Sequence, residues 1–110
     1  MPIEIYGEYH LIRGDTVFLI YPFGSQNYEQ PTKLYATLAF LYSRGLVPII
    51  SPTYIQGHKI EMVRRRIVKR VIAKCDGAVI VGEESMTYNQ LLEVQYCKEL
   101  SIPVFTVKTS

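Results

Sequence analysis

The stretch Val17-Phe18-Leu19-Ile20-Tyr21, closed by Pro22-Phe23-Gly24, is an unbroken apolar run that ends in turn residues. A strand with one wet face alternates polar and apolar positions. This run does not, so it predicts a strand buried on both faces, as in a parallel sheet covered by helices. Ala78-Val79-Ile80-Val81, entered through Asp76-Gly77, repeats the pattern, and Ile102-Pro103-Val104-Phe105-Thr106-Val107 reads as the last strand. Val47-Pro48-Ile49-Ile50 is a shorter strand whose proline suits a sheet edge or a strand's first residues. Between these runs the period changes to that of a helix. Leu34, Leu38 and Leu41 recur within Glu29–Arg44, with Pro31 in the first turn and Gly45 as a stop. Ile60, Val63, Ile67 and Val71, widened by Val68, Ile72 and Cys75, stripe a helix over Lys59–Lys74. Thr87–Leu100 forms a third helix, with Leu91, Leu92, Val94, Cys97 and Leu100 on its apolar side. Strand–helix units in succession imply parallel strands joined by right-handed crossovers, with helices on both faces. Ile3, Ile5, Leu11 and Ile12, with Arg13-Gly14-Asp15, suggest an additional antiparallel edge strand turning as a hairpin into Val17. The expected class is therefore α/β: a three-layer, mainly parallel open sheet of four to five strands, of flavodoxin or Rossmann type.

The chain of 110 residues supports one core, so residues 1–110 are read as a single domain. With 48% hydrophobic residues and a net charge of +2, the composition excludes intrinsic disorder. No run approaches a membrane span, and Met1-Pro2-Ile3-Glu4 lacks the basic and apolar regions of a signal peptide, so a cytoplasmic location is expected. The near-neutral total conceals an uneven distribution. Residues 58–74 hold 7 of the 12 basic side chains and a single acid, whereas residues 75–110 hold 5 acids and 2 bases.

In an open parallel sheet, ligands bind beyond the carboxyl ends of the strands, near the switch in strand order. Those ends release Tyr21-Pro22-Phe23-Gly24-Ser25-Gln26-Asn27, Ser51-Pro52-Thr53-Tyr54 and Gly82-Glu83-Glu84-Ser85. Gly24 beside Ser25 and Gln26 is compatible with a phosphate-approaching backbone and equally with a plain turn. Tyr21, Tyr28, Tyr54 and Tyr88 fall at the expected rim, where a ring can stack on a base, and Phe23 adds an aromatic wall. Tyr35 and Tyr42, seven apart on one helix, are read as packing residues. Glu93, between Leu92 and Val94, is either a solvated helix carboxylate or one whose reactivity is set by a partly dry cleft. Glu83 and Glu84 are available as a second carboxyl.

Taken together, Cys75-Asp76-Gly77-Ala78-Val79-Ile80-Val81-Gly82, then Glu84-Ser85, Leu92-Glu93-Val94 and Leu100-Ser101-Ile102-Pro103-Val104 resemble the nucleoside 2-deoxyribosyltransferase-like superfamily. Phe18-Leu19-Ile20-Tyr21-Pro22 is similar to its first strand, and Gly45-Leu46-Val47-Pro48-Ile49-Ile50-Ser51-Pro52 to its second. The resemblance spans roughly residues 17–107. It implies binding of a nucleoside or nucleotide, with cleavage or exchange of an N-glycosidic bond to a (deoxy)ribose and no cofactor. By the same resemblance Glu93 is the nucleophile, Ser25 and Ser85 contact sugar hydroxyls or a 5′-phosphate, and the chain is a homodimer. Tyr21, Phe23, Gly24, Tyr54, Tyr88 and Asn89 complete the implied substrate site. The chain departs from the family at Thr87 and Asn89, where an Asp and a Gly usually stand, at Phe18 in place of a Tyr, and at Tyr21 in place of a Gly. Glu61 or His58 stands in for the family's base-assisting acid. The first strand with a distal helix glutamate also resembles TIR-type domains, in which a comparable Glu cleaves NAD. These departures leave a non-catalytic nucleotide-sensing protein as an alternative.

A rival expectation comes from the basic helix. Arg64, Arg65, Arg66, Lys69, Arg70 and Lys74 suit phosphate contacts to a nucleic acid, a subunit interface, or plain solvation of an amphipathic helix. For strand order 2-1-3-4 the second and third helices share a face, placing Cys75 and Cys97 near the sheet's amino edge. Two buried thiols are the default there, with a disulfide as the alternative. His10 and His58 have no ligand partners at recognisable spacing, so no metal is expected.

Overall fold

The computed structural model describes residues 3–6, 11–23, 29–51, 61–82 and 86–109. Strands β1 (Ile3–Tyr6), β2 (Thr16–Ile20), β3 (Val47–Ile49), β4 (Gly77–Ile80) and β5 (Val104–Thr109) form one sheet in the order β1-β5-β4-β2-β3. Helices α1 (Pro31–Ser43), α2 (Glu61–Ala73) and α3 (Tyr88–Glu99) connect the parallel strands. β2, β3, β4 and β5 run parallel, and β1 lies antiparallel on the outer edge of β5. The expected edge strand is present, but it is no hairpin into Val17. It pairs with the end of the chain, Ile3 opposite Thr109, because β5 leaves an open edge and both edges of β2 are already occupied. Pro48 sits in β3, an edge strand paired only with β2, where its missing N–H costs no ladder bond on the outer side.

The constant hand of the crossovers fixes the layers. From β2 the chain steps outward to β3, so α1 lies on one face. From β3 it steps back across β2 to β4 and on to β5, so α2 and α3 share the other. The central strands alternate between these layers. Val17, Leu19, Val79 and Phe105 pack under α1 with Leu41 and Phe40, whereas Phe18, Ile20, Ala78 and Ile80 pack under α2 and α3 with Val68, Ile72 and Cys97. Both faces of β2 and β4 are therefore dry, which is why their sequences show no alternation.

α1 buries its expected stripe, with Leu41 covered and Leu34 and Leu38 packed on the core, whereas α3 buries a different one. Tyr35 and Tyr42 of α1 are 67% and 66% exposed, because Thr37, Phe40 and Leu41 face the sheet and a helix has one such face. In α3 the buried residues are Gln90, Tyr96 and Cys97, with Leu91 and Leu100 exposed. Apolar residues surround α3 at nearly every angle, so periodicity could not select its inner side.

The amino ends of β2 and β4 are pinned by Asp76. Its Oδ2 accepts from the Thr16 amide at 2.9 Å and the Thr16 hydroxyl at 3.1 Å, and its own amide donates to the Thr16 carbonyl at 2.9 Å. Just beyond, Gly77 packs so closely on Leu11 that an added Cβ would lie 3.2 Å from that side chain. The Cys75-Asp76-Gly77 motif is thus explained by packing, at the end of the sheet opposite the strands' carboxyl rim. Cys75 and Cys97 are free, buried thiols of the same core layer.

Candidate functional site

β3 lies on one side of β2 and β4 on the other, so the chain reverses direction across the sheet at this pair. The carboxyl ends of β2 and β4 therefore open the crevice where sheets of this kind take ligands. Tyr21, Pro22, Phe23, Val81 and Gly82 form its described rim. Gly24, Ser25, Gln26, Asn27, Tyr28, Thr53, Tyr54, Glu83, Glu84 and Ser85 lie outside the described residues, as do His10 and His58.

Gln90 sits at the carboxyl ends of β2 and β4. It is 1% exposed, and its Nε2 donates to the Ile20 carbonyl at 3.1 Å and the Val81 carbonyl at 3.0 Å. One amide thereby bridges the carboxyl ends of the two strands. Its Oε1 accepts from the Thr87 amide at 2.9 Å while Thr87 Oγ1 accepts from the Gln90 amide at 3.3 Å, a reciprocal cap on α3. Gln90 was not among the expected site residues. The pattern Thr87-x-x-Gln90 is a capping-box signature and marks it, although nothing local shows that the amide also spans two strands.

Tyr21 is 6% exposed, and its hydroxyl accepts from the Gln30 amide at 2.7 Å. α1 has no side-chain cap of its own, so this phenol supplies an acceptor at its start. Burial raises the Tyr21 pKa, opposed by the bond from Gln30. Phe23 meets Tyr21 edge-on, with centroids 4.7 Å apart, and packs on the α1 side of the sheet against the layer that includes Leu34 and Leu38. Opposite them Gly82 holds φ +78°, and a Cβ there would lie 2.9 Å from Gln30 Nε2. Gln30 thus lies across the mouth from the start of α1 to the end of β4. Two carboxamides, Gln30 and Gln90, border the same crevice.

Glu93 stands one turn further into α3 than Gln90. It is half-buried, and its Oε2 is closed off from solvent. On the helical wheel it falls between Cys97, which is buried against the sheet, and Tyr96, which faces α2. Burial first, and then the charge of Glu93, push the Cys97 thiol up to about 12. Tyr88 and Asn89, in the preceding turn, are exposed; Gln90, their neighbour, is the residue that reaches the strand ends.

On the outer side of the same layer, Arg65, Arg66 and Arg70 are exposed. Lys69 has a structural task. Its Nζ lies 2.7 Å from Glu99 Oε2 and 5.3 Å from the centre of the Tyr96 ring, joining α2 to α3. The Lys69 hydrogen bond holds the Glu99 carboxyl below its ordinary range. Tyr96 is raised, by burial first, against the opposing charges of Arg65 and Lys69. Among the described residues no three His, Cys, Asp or Glu side chains gather as a metal site, and no helix is long and apolar enough to cross a membrane. No family model, no curated protein and no solved structure matches this chain.

Proposed function

We propose that the crevice at the carboxyl ends of β2 and β4 binds a nucleoside or nucleotide, and that Glu93 is its nucleophile in N-glycosidic cleavage or (deoxy)ribosyl transfer. The observation that carries this is the placement of Glu93: half-buried, with one carboxylate oxygen closed to solvent, one helical turn beyond the amide that bridges the switch-point strands. Departure of a base from C1′ builds positive charge on the sugar, and a carboxylate beneath it stabilises or traps that charge. In the covalent route a Glu93 oxygen forms a bond to C1′ as the C1′–N bond breaks. The base leaves with the electron pair and takes a proton. Water then attacks C1′ to release the free sugar and regenerate the carboxylate, or a second base attacks and forms a new nucleoside. Gln90 supports this chemistry by holding the first turn of α3 to both strands, which fixes the depth of Glu93.

The test is chromatographic detection of free base after incubation with nucleosides, nucleoside monophosphates and NAD. Glu93→Gln, which keeps the shape and removes the nucleophile, is expected to lower release about 1,000-fold or more. Urea unfolding of the same variant checks that the fold survives. Undiminished release by Glu93→Gln would end its assignment as nucleophile. If no substrate releases base, calorimetric binding of a nucleotide still supports a nucleotide-sensing site, and absence of both turnover and binding removes the proposal.

A further inference from the structure

Outside the crevice, the least explained surface is the outward side of α2 together with the first turn of α3. α2 has one acidic residue, Glu61 at its start, and it exposes Met62, Arg65, Arg66 and Arg70. α3 opens with Tyr88, 63% exposed. The two helices pack side by side on one sheet face, and both begin at the carboxyl rim. Lys69 of α2 reaches Glu99 and the Tyr96 ring of α3, so the outer sides of the two helices adjoin.

The cations of this surface are not equivalent. Lys69 is engaged with Glu99, whereas Arg66 and Arg70 make no ion pair among the described residues. One turn apart, Arg66 and Arg70 have Cβ atoms about 5–6 Å from each other, a spacing that suits successive charges along an anionic chain. A second copy of the protein across this face would set arginine against arginine. An anionic membrane would need a continuous apolar face to insert, and the apolar stripe of α2, Val68 and Ile72, is spent on the sheet. An acidic peptide would satisfy the arginines and leave the exposed ring without a role. A single strand of nucleic acid uses both, with phosphates on the guanidinium groups and a base on the phenol face.

We propose that the α2–α3 face binds single-stranded nucleic acid, Arg66 and Arg70 taking neighbouring phosphates and Tyr88 stacking a base. Occupancy of this surface does not depend on turnover in the crevice.

Fluorescence anisotropy with the whole protein and a labelled oligothymidylate of about 12 nucleotides tests it. Affinity should fall with salt, and the log–log slope should become shallower by about 1.4 in the double variant Arg66→Gln/Arg70→Gln, at about 0.7 per phosphate contact. Tyr88→Ala should weaken binding about 5- to 100-fold and leave the slope unchanged, while Tyr88→Phe should bind as the parent does. All three positions are exposed, and circular dichroism checks the fold. No binding at low salt overturns the proposal. So does equal binding of a duplex, a polyglutamate or a phosphatidylserine vesicle with Tyr88→Ala neutral, since that pattern describes an unspecific polyanion or lipid surface.

Discussion

Gln90 shows how much a single side chain settles in this protein. Its carboxamide spends both oxygen and nitrogen inside the fold, on the cap of α3 and on the carbonyls of Ile20 and Val81. Gln90→Leu would retain the volume, break the cap, take the Gln90 donor from the buried Val81 carbonyl and leave the Ile20 carbonyl with only the Val81 amide. A cost of about 2–3 kcal/mol in urea unfolding is expected. Gln90→Glu should be worse at neutral pH, because a carboxylate cannot donate to two carbonyl oxygens. Burial against acceptors raises the folded-state pKa of such a carboxyl above its unfolded value. Its penalty is therefore greatest above that raised pKa and shrinks as the pH falls through it. A stability deficit, relative to the parent, that failed to narrow between about pH 7.5 and 4.5 would contradict the bridging role. Glu93 illustrates the converse. Its identity and helical setting were legible in the sequence, but its half-buried position beside Cys97 was not, since the wheel of α3 offers apolar residues on every side.

Among the elements, the helices carry the clearest local signals and the strand pairings the weakest. Thr87 and Gln90 form a reciprocal cap whose pattern is visible in four residues. Thr87→Ala should cost about 1 kcal/mol and Thr87→Ser almost nothing, as read from urea midpoints. α1 carries two competing stripes, one through Leu34, Leu38 and Leu41 and one through Tyr35 and Tyr42. Only contact with β2 and β5 chooses the first, and the tyrosines are left outside. β1 is the extreme case. Its short apolar pattern predicts an edge strand, yet its partner lies at the other end of the chain, with Ile3 opposite Thr109. Pairing at that separation depends on which edge the finished sheet leaves open, and no nearby residue encodes it.

For the molecule as a whole, the core layer under α2 and α3 makes stability sensitive to alkali. Cys97 is raised from 9.0 to about 12, chiefly by burial, and Cys75 is raised in the same direction. A thiol with a raised folded-state pKa binds its proton more tightly in the native state. Its contribution is complete below the unfolded pKa and is lost as the pH rises through the folded one. Stability should therefore decline from about pH 9 upward, and Cys97→Ala, although less stable at neutral pH, should show a flatter alkaline limb. Urea midpoints measured from about pH 8 to 11 check this, and an unchanged slope in the variant would exclude Cys97 as the cause.

Apolar runs, helical spacing, proline at an edge and glycine at a stop act over a few residues, so element order, parallel topology and layer assignment could be read directly from the chain. The hidden unevenness of charge was equally plain, with 7 of the 12 basic residues gathered in residues 58–74, in and around α2. Contacts between distant segments lie beyond such signals. The Gln90 bridge to Ile20 joins residues 70 apart, and the Asp76 clamp on Thr16 joins residues 60 apart. Tyr21 looked like a rim aromatic and became the acceptor that caps α1, because folding brought an uncapped helix start to its hydroxyl. Local sequence specifies which conformations each segment prefers. Which buried polar group satisfies which partner depends on the assembled geometry, since only the packed sheet places donor and acceptor within reach.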